Sequence, residues 1–175
     1  MFGGFRIATA RRACVTALHP ILRRPRIADP WPPQFWRDPF VLGFFVSTIA
    51  SVSDMATRRK LTSEQSGHVL IGTFKELGGY TPDLGERIEM LGREKDADYW
   101  QGVRSAEKLI VYMFGGTSFN GLPFDQDPDV QVATEMAGQT ALAVAQGGHV
   151  GREAIGGSMM YLLFHVPVER RLGMR

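Results

Sequence analysis

Alternating carboxylates at Asp125, Asp127 and Asp129 are the first residues of this 175-residue chain that could do chemistry. Hard oxygen ligands at alternate positions open a calcium-binding loop. The pattern then departs from that loop: the sixth position, where glycine makes the turn, is Val130, and the twelfth, where a bidentate glutamate belongs, is Met136. Asp127 before Pro128 therefore reads as a helix N-cap, with its acidic neighbours favoured by the positive end of the helix dipole. Imidazole is the other versatile group at neutral pH. Glu64 with His68, and His165 with Glu169, stand four residues apart and can share a helix face, but the Glu-x-x-His of a di-iron bundle does not occur. No metal site and no cofactor is expected. His68 and Asp125 remain as acid or base candidates, because imidazole and carboxylate are common proton-transfer groups.

Covalent chemistry has less to draw on. Cys14 lies among arginines whose charge would lower its pKa, yet an unanchored arm cannot hold a nucleophile beside a base. Ser158 follows Gly156 and Gly157, but Met160 stands where a Gly-x-Ser-x-Gly elbow needs glycine. The pairs Gly115-Gly116 and Gly147-Gly148 lack the lysine and spacing of a phosphate loop and read as helix stops.

Elements that would position such residues must come from an ordinary globular composition, 44% hydrophobic and 22% charged, enough for a core. A single cysteine excludes an internal disulfide and points to a reducing, cytoplasmic setting. Six arginines and no acid fall within residues 1–28, leaving fourteen basic against eighteen acidic residues, a balance of −4, in the remainder. An acidic body has no general attraction for nucleic acid, so residues 1–28 are expected to form a flexible basic arm carrying any such attraction. Its composition also fits a transit peptide, which makes the mitochondrial matrix the alternative compartment. Arg11 and Arg12 interrupt the apolar stretch that a secretory signal needs.

Residues 29–38 form a proline and tryptophan strap, with Pro30, Trp31, Pro32, Pro33, Phe35 and Trp36. Missing backbone donors keep it out of a helix interior, and its aromatic rings require cover, on its own body or a neighbouring subunit. Trp31, Phe35 and Trp36 are thus the partner-binding candidates.

From residue 39 to 175 the sequence predicts one helical domain. Asp38-Pro39 opens a helix to about Arg59, and its uncharged run Phe40–Ser53 is too short to span a bilayer, so no transmembrane segment is expected. Thr62 with Gln65 forms a capping box for a helix over 63–77, ended by Gly78. Thr81-Pro82 opens a third helix, Asp96 or Asp98 a fourth, and Asp127-Pro128 a fifth with a narrow face of Ala133, Ala137 and Ala141. A sixth runs over 152–165 before Pro167, and 115–127 reads as an irregular loop. The fold class is all-α, about six helices in a bundle or irregular array behind an extended N-terminal arm.

Glu76-Leu77-Gly78-Gly79-Tyr80-Thr81-Pro82-Asp83-Leu84-Gly85-Glu86-Arg87-Ile88-Glu89-Met90-Leu91 resembles the helix-turn-helix of LysR-type regulators, in which a proline opens the recognition helix. That resemblance implies DNA binding. Asp83, Glu86 and Glu89 stand where that family places polar or basic residues, and seven acids against three bases from Glu76 to Asp98 oppose attraction to phosphates. The leading expectation is a non-enzymatic helical interaction or oligomerisation module, with a homo-oligomer or a protein as partner. A small helical enzyme or ligand-binding protein with a cleft near the 115–127 loop is the alternative.

Overall fold

A computed structural model describes residues 3–23, 31–58, 60–144 and 151–174, excluding the side chains of 140–144. The helix stop expected at Gly147-Gly148, the Ala141 side chain of the expected narrow face and the strap's first residues through Pro30 lie outside that description. The described residues form seven helices and one short hairpin, an all-α array divided into two compact units, 1–104 and 105–175.

In the first unit, helix α1 spans Gly3–Leu22, where the sequence predicted an extended arm. Ala10, Cys14, Leu18 and Ile21 recur at helical spacing and are buried, packed against α2 (Pro39–Thr57) and α3 (Ser63–Leu77). Arg11 and Arg12 stay at the surface, and Arg11 Nε meets Glu76 at 3.3 Å. One face of the basic segment was therefore apolar enough to fold onto the body.

The capping signals fix the starts of α2 and α3. Asp38 accepts a hydrogen bond from the Val41 amide at 3.1 Å. The Thr62 hydroxyl accepts from Gln65 N at 3.2 Å while the Thr62 amide donates to Gln65 Oε1 at 3.1 Å. α2 stops at Thr57 with Arg58 left-handed at φ 51°, just short of the end expected near Arg59. Among the described residues, α2 is the one helix long and apolar enough to cross a membrane, reaching a length that its uncharged core alone lacked. Phe40, Val41, Leu42, Phe44 and Phe45 are all buried within the unit, the placement of a core helix.

α4 (Leu84–Arg93) and α5 (Ala97–Met113) follow. Thr81, Pro82 and Asp83 form a turn before α4, so Pro82 does not open it. The Asp96 carboxylate accepts from Tyr99 N at 2.8 Å and starts α5 as expected. α2 and α5 cross with their backbones touching. A Cβ on Gly43 would overlap the Tyr99 carbonyl, and one on Gly102 would overlap that of Phe40, so each helix contributes a glycine to the crossing.

The second unit contains the end of α5, α6 (Pro128–Val144), and a terminal helix made of α7 (Arg152–Met160), a π turn (Tyr161–His165) and α8 (Val166–Arg171). α6 packs on α7, burying Ala133 and Ala137. Pro167 was expected to end the last helix. Instead the Val166 amide bonds to Tyr161 O across the widened π turn, and the chain continues helically through the proline.

Between α5 and α6, the expected irregular loop is partly a hairpin, β1 (Ser118–Phe119) with β2 (Leu122–Pro123). Its two-residue turn, Asn120-Gly121, has φ of 50° and 82°, the left-handed pair that an antiparallel turn of this length requires.

Candidate functional site

The strap lies on its own body. Residues Pro33–Arg37 form a 3-10 turn, and Trp31 Nε1 donates to the Leu22 carbonyl at 2.8 Å. Trp31 stacks on Phe35 at 4.5 Å, while Trp36 meets the edges of Phe45 and Phe74 at 5.5 and 6.0 Å. The Trp36 ring covers Gly79, where any Cβ would overlap it. Phe35, one of the three partner-binding candidates, is fully buried in the core of its own unit. Trp31 and Trp36 are half-buried.

The first unit holds a cleft of about 320 Å³ between α2, α3 and their link. Ile49, Ala50, Leu61 and Leu70 supply its apolar wall; Ser53, Asp54, Lys60 and Ser66 supply polar groups. Such a lining, mostly apolar with a few polar positions, is that of small-molecule sites, and the volume lies near their lower limit. Ser53 is only 4% exposed, and its Oγ lies 3.3 Å from the Cys14 sulfur. The thiol also donates to the Ile49 carbonyl at 3.5 Å, and buried Thr73 bears on the same sulfur. Burial pushes the thiol's pKa up, with Ser53 and Thr73 opposing in part. What is corrected is the anchoring: Cys14 sits on a packed helix rather than a loose arm, Arg11 and Arg12 face outward, and desolvation dominates at the thiol.

His68 stands on the exposed side of α3, its Nε2 3.8 Å from Glu64. Asp125 is exposed in the other unit, and its backbone carbonyl accepts from Gln131 Nε2 at 3.1 Å. Neither residue has the buried setting that tunes a catalytic acid or base. In the segment that resembles a helix-turn-helix, Arg87 Nη2 lies 2.6 Å from Asp83, and Glu86 and Glu89 are exposed.

The second unit uses the acidic tract differently. Lys108 from α5 is 12% exposed and sets its ammonium 2.6 Å from Asp127 and 2.5 Å from Asp129. Asp127 Oδ1 also accepts from the Asp129 and Val130 amides, confirming it as the cap of α6. A side-chain cation thus occupies the place between two of the alternating acids. Among the described residues, no three His, Cys, Asp or Glu side chains converge as a metal set.

Near the hairpin, Phe124 packs edge-on to Tyr112 at 5.2 Å, and Arg152 lies over the Tyr112 ring while donating to its carbonyl at 2.8 Å. Beyond this anchored base, Phe114 is 67% exposed, with Met113 and Leu122 also open to solvent. The π turn places His165, fully buried, against the rings of Tyr161 and Phe164. Sequence reasoning missed that setting, since Pro167 was its one local trace. The chain matches no protein-family model, no curated protein and no solved structure.

Proposed function

We propose that this protein is a non-enzymatic helical interaction module acting through the apolar end of its second unit, with a second copy as its first partner to test. The observation that carries the reading is the exposed Phe114, with its chain neighbour Met113 and Leu122 of the following hairpin also open to solvent. Apolar surface in water is unfavourable by about 25 cal/mol per Å², so a partner that covers these groups gains what solvent exposure loses. Methionine adds a side chain that adapts to different contours. The strap has an internal role in this reading.

Light scattering across a concentration series is expected to show a rising mass, and Phe114→Ser is expected to suppress it. A photo-crosslinker at position 114 is expected to yield an adduct in cells with the same chain or one protein. A strict monomer that yields no adduct sinks the proposal. The same reading keeps α1 in the working cytoplasmic protein, because Ala10, Cys14 and Leu18 belong to the core. Mass spectrometry of the protein from its native cells is expected to find α1 present, whereas a mitochondrial species cleaved after it would overturn retention.

Binding of a small molecule is a second reading, favoured by the cleft between α2 and α3.

A further inference from the structure

The cleft between α2 and α3 carries both signs of charge on an apolar wall. Asp54 and Lys60 both line it, and among the described residues neither is held in an ion pair. Ser53 reaches the same space from a nearly buried position. With the Cys14 thiol donating to the Ile49 carbonyl, the Ser53 hydroxyl can give its hydrogen to sulfur and keep an oxygen lone pair for the cleft. The polar part therefore offers two acceptors, Ser53 and Asp54, and one cationic donor, Lys60. Ile49, Leu61 and Leu70 offer an aliphatic surface beside them.

We propose that this cleft binds a small zwitterion with an aliphatic body, of the chemical class of an apolar α-amino acid. Its ammonium group meets Asp54 and Ser53, its carboxylate meets Lys60, and its side chain lies on Ile49 and Leu70. A simple amine would leave Lys60 without a counter-charge, and a simple acid would leave Asp54 so. The site is independent of the apolar end of the second unit.

Titration of the full chain with L-leucine, followed by calorimetry and amide NMR, tests the assignment. Saturable binding is expected, with shifts concentrated at 46–54 and 60–70. Isoamylamine and 4-methylpentanoate each lack one charged group of leucine and are expected to bind at least about tenfold more weakly, the scale of a lost charge-assisted hydrogen bond. Lys60→Met should remove the advantage of leucine over isoamylamine, and Asp54→Asn its advantage over 4-methylpentanoate; both positions are exposed, so the fold is expected to persist. No saturable response to leucine overturns the proposal, as does equal binding of the amine or acid alone. Phe114→Ser is expected to leave leucine binding unchanged, so failure here is distinguishable from failure of self-association.

Discussion

In the first unit Phe35 and Trp36 meet Phe45 and Phe74 ring to ring, whereas in the second the start of α6 is held by an ammonium group set against two aspartates. The first arrangement is non-directional and distributes its stabilisation over many contacts. The second concentrates it on Lys108, which must replace the water that Asp127 lost on burial. The units should therefore fail differently: the first loses stability in proportion to volume removed, the second when one charge loses its partner.

The largest expected effect is that of Phe45→Ala, about 3–5 kcal/mol in denaturant unfolding, because the cavity opens where four rings meet. Hydrogen exchange should show the loss in α1, α2 and α3; equal loss in α6 and α7 would break the contrast. Lys108→Met comes next at about 3 kcal/mol, the lower end for breaking a buried pair, since Asp129 can turn to solvent. If Asp127→Asn on that background restores stability, uncompensated charge is the cause. A change below about 0.5 kcal/mol for Lys108→Met would reduce the cluster to a surface ion pair.

Asp38→Ala should cost about 1 kcal/mol by removing one N-cap acceptor, with Asp38→Ser largely neutral. The smallest effect concerns alkaline pH. Burial raises the Cys14 thiol above its ordinary value of 9.0, so its contribution is complete below that pH. It is lost as pH rises through the folded value, because the unfolded chain releases its proton first. Unfolding of the wild type should therefore become easier above about pH 9, and Cys14→Ala should flatten that trend.

Legibility followed the range of the interaction. Asp38, Thr62 with Gln65, Asp96 and Asp127 act on amides two or three residues away, and each helix start they predicted is present, although Pro82 precedes its helix without opening it. The α1 stripe was hidden because Ala10 and Cys14 are small and arginines dominate the composition around them. Their small size suffices because α2 supplies bulky rings to the same core. Asn120-Gly121 was a readable hairpin turn, but strands of two residues cannot show alternation. The pairing of Lys108 with Asp127 and the cleft at Ser53 depend on helices meeting in space, which local spacing does not encode.

The crossing of α2 and α5 bears on how relatives of this chain would be recognised. Surface positions, and much of the aromatic core, can drift with compensation elsewhere, since packed interiors tolerate exchanges that preserve volume. Gly43 and Gly102 have no such latitude, because the neighbour that excludes a side chain is a main-chain carbonyl, present whatever residue supplies it. Descent with extensive divergence should therefore preserve two glycines, one in each partner helix, as a paired mark after overall similarity has faded.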